Sequence, residues 1–182
     1  FAATISSQPE GAHGRRIALP GQPELRGAPV VVPADPSSAA FPMVAALLVP
    51  GSDVVLTDVM TNPLRTGLFT TLQEMGASIE ISELRGDAGE PMAKFRVKAS
   101  RLKGVDVPAE RAPAMIDEYL VLAVAAAFAE GTTRMRGLQE LRVKESDRLE
   151  ATAAMLRVNG VEVAIEGDDL IVEGRGHVPG GG

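Results

Sequence analysis

Residues 119–129 read YLVLAVAAAFA, and the tyrosine hydroxyl is the only polar side-chain group among them. A helix of this composition has no face for water and must be covered on every side. The run is about half the length that spans a bilayer, so its cover is expected to be protein. Asp117 stands before it as a cap-type residue and Gly131 behind it as a stop. A wholly buried helix pushes the sheets outward. The expected fold class is therefore inverted α/β, with helices inside and sheets toward solvent.

The pattern occurs twice. DPSSAAFPMVAALLVPG opens with Asp35, Ser37 and Ser38 as cap-type residues and stops at Gly51. A strand (54–59), a loop with Pro63 and Gly67, a helix stopping at Gly76, and two alternating strands (78–82 and 94–100) follow. The second stretch repeats this order. TTRMRGL is its strand, LEATAAMLRVNG its second helix ending at Gly160, and VEVAI and DLIVEG its hairpin around EGDD. The glycine stops lie 80 residues apart at Gly51 and Gly131, and 84 apart at Gly76 and Gly160. An insertion of about four residues in the second loop accounts for the difference, and duplication accounts for the order. The second helix of the later unit is amphipathic, with Leu149, Ala153 and Leu156 on one face. Met43, Met75, Met115 and Met155 read as core fillers. Lys94, Arg96 and Lys98 read as the wet face of a strand.

Ahead of the repeats, residues 1–25 read as a strand pair turning at EGAHG, and VVVPAD as an extended connector. The expected organisation is a hairpin (1–28), a linker (29–36), a first repeat (37–112), a second (113–176) and a flexible tail (177–182). The start without Met and the glycine-rich end suggest a piece of a longer chain.

Composition narrows the function. Net charge is −6 and aromatics are 3%, which argues against nucleic-acid binding by charge or by base stacking. There is no cysteine, and His13 and His177 are the only histidines. No metal site, no Ser-His triad and no cofactor are expected. With no signal peptide and no spanning run, the expectation is a cytoplasmic protein without membrane contact.

The informative cluster is RVKESDR, where Lys144, Glu145, Asp147 and Arg148 crowd the start of a helix. With Ser146 as the cap, Asp147 and Glu150 suit the positive helix end, whereas Lys144 and Arg148 do not. Cations placed there gather positive potential for an anion, and Glu145 between them can move a proton beside it. The same residues also fit an exposed capped helix with i,i+3 and i,i+4 links such as Glu145 to Arg148. Asp117 likewise fits a helix cap or a catalytic base. Arg65 in NPLRTG fits a surface turn or a second basic contributor. If the two helices of the unit point the same way, Asp117 and Glu145 come together at one edge. Spacing alone leaves these alternatives open.

MIDEYLVLAVAAAFAEGTT followed by ELRVKESDRLEA resembles the C-terminal half of the 5-enolpyruvylshikimate-3-phosphate synthases. PADPSSAAFPMVAALLVPGSDV and DVMTNPLRTGLFTTLQEMGASIEI are similar to the same family, especially its glyphosate-tolerant class II bacterial branch. The resemblance covers nearly the whole chain. Leu120 departs from it, because the family usually has Pro after DEY. The resemblance implies two inverted α/β domains of three βαβαββ units each, with a cleft between them. It implies transfer of the enolpyruvyl group of phosphoenolpyruvate to the 5-hydroxyl of shikimate 3-phosphate, with release of phosphate. Asp117 matches the residue that contacts the shikimate hydroxyls and takes the 5-hydroxyl proton. Lys144 matches the lysine near shikimate 3-phosphate and the reacting centre. Glu145 matches the acid that protonates the methylene carbon, and Arg148 an arginine that binds the phosphoenolpyruvate or glyphosate anion. The implied partners are these small anions, with a monomer whose cleft the rest of the enzyme completes. The family's Lys-Ser, Ser-Ala-Gln and His-Arg elements are not in this sequence, so it is expected to hold about half a site. Two alternatives stand beside this reading: a non-catalytic anion-binding half-domain active only with a complementary segment, and a relative of the UDP-N-acetylglucosamine enolpyruvyl transferases.

Overall fold

A computed structural model describes residues 3–11, 14–86 and 89–181. Contacts divide the chain into Phe1–Val31 and Val32–Gly182. In the first unit, β1 (Ser6–Glu10) and β2 (Gly14–Ala18) pair antiparallel, with Ser6 opposite Ala18 and Glu10 opposite Gly14. Both strands are exposed throughout. His13, in the expected EGAHG turn, lies outside the described residues.

The larger unit starts with α1 (Pro36–Leu48). Asp35 caps it by accepting from the Ser37 and Ser38 backbone N–H groups, and Pro36 needs no donor in the first turn. Next come β3 (Asp53–Met60), α2 (Gly67–Glu74), β4 (Ser78–Arg85) and β5 (Met92–Lys98). β5 lies between β3 and β4, antiparallel to both. Ala34 adds a parallel bridge beside β3: its N–H donates to the Asp58 carbonyl, and its carbonyl accepts from Met60. The extended connector therefore ends as a one-residue strand.

The same plan returns with β6 (Asp106–Val107), α3 (Tyr119–Phe128), β7 (Glu130–Met135), α4 (Arg148–Val158), β8 (Glu162–Glu166) and β9 (Asp169–Arg175). Their sheet order is β6-β7-β9-β8, with β6 parallel to β7 and the other pairs antiparallel. In both halves a short lead strand pairs parallel with the strand after the buried helix, and a hairpin completes the sheet. The second sheet thus takes in residues 106–107, ahead of the expected start at 113. Two residues are too few to show a strand periodicity.

α3 is the inner helix. Leu122, Ala123, Ala125 and Ala126 are fully buried, and α1, α2, α4, β7 and β9 pack around it. Small side chains let β9 approach closely. A Cβ on Gly174 would lie 2.3 Å from the Ala129 carbonyl oxygen and 2.4 Å from that of Ala126. β3 and β8 alternate toward solvent, as sheets on the outside require. Lys94, Arg96 and Lys98 lie on such a face, where Arg96 pairs with Asp53 and Lys94 with Glu83. Met43, Met75 and Met115 are buried, but Met155 is 43% exposed and is not a core filler. It lines an open groove with Leu120, Val121 and Val124 of α3, whereas Leu149, Ala153 and Leu156 of α4 are buried. No helix among the described residues is long and apolar enough to cross a membrane.

Candidate active site

The structure corrects two expected caps. α4 is capped by Asp147, not Ser146: one Asp147 oxygen accepts from the Glu150 N–H at 3.0 Å. Its other oxygen accepts from Arg142 at 3.2 Å, and Arg142 also reaches Asp168 and the Gly167 carbonyl. The start of α4 is thus tied to the β8–β9 turn. Asp makes a better partner than Ser here, because its two oxygens serve the helix and the guanidinium together. Asp117 is not a cap either. It sits in a 3₁₀ turn (Ile116–Glu118) ahead of α3, whose first turn has no side-chain cap.

Asp117 is free to turn toward α4. Its Oδ1 accepts from Arg148 Nη1 at 3.1 Å and lies 3.6 Å from Lys144 Nζ. Arg148 Nη2 donates to Glu145 Oε2 at 2.6 Å. One guanidinium therefore joins Asp117 to Glu145, and the four expected site residues form one group at the N-terminal ends of α3 and α4. Lys144 also pairs with Glu140 at 3.2 Å. This contact, aided by Asp117, raises its pKa and keeps it cationic. Glu145 is held below the ordinary carboxylate range, first by its own backbone N–H and then by Arg148. Its side chain is 80% exposed, whereas those of Lys144 and Arg148 are 25% and 29% exposed. Exposed pairs of this kind contribute little to folding and are easily exchanged for another anion.

The loop of the first repeat supplies a parallel arrangement. Arg65, in a 3₁₀ turn (Pro63–Arg65), donates to Ser37 Oγ at 2.9 Å and approaches Asp35 at 3.5 Å. Ser37 Oγ in turn donates to Glu118, next to Asp117. Sequence reasoning missed Glu118, which is only 5% exposed. No spacing rule marks a carboxylate in a DEY triplet as buried. Arg142 was missed too, because two of its three partners, Gly167 and Asp168, lie more than twenty residues on.

The matching family model is EPSP synthase (3-phosphoshikimate 1-carboxyvinyltransferase), over residues 1–181. The chain belongs to the EPSP synthase family. It is 88% identical over all 182 residues to the 3-phosphoshikimate 1-carboxyvinyltransferase of Rhodopseudomonas palustris (strain BisA53), and 83% identical to that of Bradyrhizobium sp. (strain ORS 278). It spans 41% of the length of each. Among solved structures, an EPSP synthase from Acinetobacter baumannii matches 95% of this chain and 38% of its own length, with TM-score 0.86 and 42% identity. The enolpyruvyl transferase NikO from Streptomyces tendae matches 79% of this chain and 30% of its own length, with TM-score 0.56 and 19% identity, which shows the fold alone. These relatives place the inverted α/β fold in the EPSP synthase family and favour it over the UDP-N-acetylglucosamine transferase alternative.

Proposed function

We propose that this chain forms part of an enzyme that joins phosphoenolpyruvate to the 5-hydroxyl of shikimate 3-phosphate and releases phosphate. The observation that carries the reading is the convergence of Asp117, Lys144, Glu145 and Arg148, in a chain of this family. Lys144 and Arg148 hold the two anionic substrates. Asp117 takes the proton of the 5-hydroxyl as its oxygen adds to C2 of phosphoenolpyruvate. Glu145 gives a proton to C3, which becomes a methyl group. The adduct then breaks its C–O bond to phosphate while C3 returns a proton to Glu145.

Without ligand, its own backbone N–H and then Arg148 hold the Glu145 carboxyl below its ordinary range. An incoming carboxylate or phosphate competes for the same guanidinium. Drawing Arg148 away raises the proton affinity of Glu145 where it must act as an acid. The remaining substrate contacts come from the rest of the enzyme, to which the β1–β2 hairpin is also assigned. No metal or cofactor enters these steps, and the enzyme acts as a monomer in the cytoplasm.

The test is a chimera: the Rhodopseudomonas palustris relative carrying this chain in place of its matching segment. Phosphate release dependent on both substrates is expected. A folded chimera that binds both substrates but releases no phosphate refutes the reading.

A further inference from the structure

Glu118 is a buried carboxylate that the proposed chemistry does not use. Among the described residues its side chain has one hydrogen-bond partner, the Ser37 hydroxyl. The two residues are 81 positions apart, and they join the first turn of α1 to the 3₁₀ turn that precedes α3. Ser37 is itself held by Arg65, so a chain of donors runs from Arg65 through Ser37 to Glu118. A carboxylate removed from water is expensive unless it is hydrogen-bonded. Glu118 is therefore pinned to the one donor in reach, and its backbone is pinned with it.

Asp117 is the preceding residue in the same turn and faces the other way, toward Arg148 and Lys144. Asp117 is half exposed, and among the described residues its side chain has no partner beyond those two cations. When substrate draws the cations away, the backbone of the turn is what remains to hold the Asp117 carboxylate. We infer that Glu118 is a positioning residue: its bond to Ser37 latches the second repeat onto the first and thereby fixes Asp117 where the attacking hydroxyl arrives. The inference rests on the proposed role of Asp117. It gives the first repeat, through Ser37 and Arg65, a part in a site whose reacting groups all belong to the second.

The test uses the same full-length chimera. Ser37→Ala leaves Glu118 without its donor, and Glu118→Ala removes the latch from the other side. Each is expected to lower kcat by about tenfold to a hundredfold, the cost of misplacing a reacting group by about 1 Å. KM for phosphoenolpyruvate is expected to stay within about threefold, since Lys144 and Arg148 remain. The double variant should be no slower than the slower single one, because both remove one bond. Glu118→Gln keeps an acceptor for the Ser37 hydroxyl and should recover most of the lost rate.

A wild-type kcat in Ser37→Ala, or losses that multiply in the double variant, would overturn the inference. Parallel increases in KM for both substrates with unchanged kcat would overturn it as well. Crystal structures of the parent and Ser37→Ala chimeras, each with shikimate 3-phosphate bound, read the geometry apart from turnover: the Asp117 carboxylate should shift by about 1 Å between the two. An unmoved Asp117 sinks the positioning role even if the chimera proves inactive. An inactive parent chimera with Asp117 displaced in the variant would instead count against the proposed reaction and leave the latch standing.

Discussion

Gly174→Ala should destabilise the fold by an amount that the backbone geometry sets. Gly174 lies in β9 under the last turn of α3. An added Cβ would stand 2.3 Å from the Ala129 carbonyl oxygen, 2.4 Å from that of Ala126 and 2.9 Å from the Ala129 carbonyl carbon, where ordinary contact begins at 3.4 Å. Every obstructing atom is backbone, so no side chain can swing aside. The helix end must retreat by about 1 Å. That movement strains the bond from the Gly176 N–H to the Ala129 carbonyl, now 2.9 Å. Overpacking of this kind costs about 1–3 kcal/mol, and a clash with backbone alone belongs at the upper end. Against it stands a gain of about 0.4–1 kcal/mol, because alanine restricts the unfolded chain. The net loss is about 2–3 kcal/mol, or about 4–12 °C in Tm for a domain of this size. Thermal and urea unfolding of wild type and variant, followed by circular dichroism, measure it. Gly51→Ala is the control: its φ is +80° and nothing lies within 4 Å, so it meets only the conformational penalty. Asparagine should partly relieve that penalty at 51 and worsen the clash at 174. A Gly174→Ala variant as stable as wild type would mean that α3 and β9 are not in backbone contact.

Three other outcomes are expected. In the chimera, Glu145→Gln should keep substrate binding but lose about 10²–10⁴-fold in kcat, as removal of a positioned acid–base group does; an unchanged kcat in steady-state assays returns Glu145 to a surface salt link. Arg111 donates to Glu74 and, against a smaller opposing effect of burial, holds its carboxyl below the ordinary range. A depressed folded pKa gives stability that is present above the unfolded value and is lost as pH falls through the folded one. Arg111→Met should therefore weaken the fold at neutral pH and flatten its acid limb, as read from urea midpoints across the acid range. The 182-residue chain alone should bind phosphoenolpyruvate or shikimate 3-phosphate weakly and release no phosphate above background. Positioning contributes roughly 7–11 kcal/mol to such reactions and needs both walls of a cleft; a rate near that of the full-length relative contradicts this.

The sequence by itself determined the elements and their duplication. An all-apolar helix, glycine stops and alternating strands are local patterns, and burial in any compact fold forces the same reading of them. It also determined the chemistry on offer, because Lys144, Glu145 and Arg148 are neighbours along the chain. The tertiary structure decided which groups meet. Asp117 fits a helix cap by its position, yet it faces Arg148, 31 residues away. Asp147 takes the cap that Ser146 was expected to fill, because Arg142 and the β8–β9 turn claim its second oxygen. Glu118 is buried, and the donor it meets there is Ser37 from the other repeat. Spacing fixes neighbours within a turn of helix or strand. A contact across 31 residues depends on how the helices of one repeat pack, and one across 81 on how two repeats pack; the single sequence carries no periodicity that reports either.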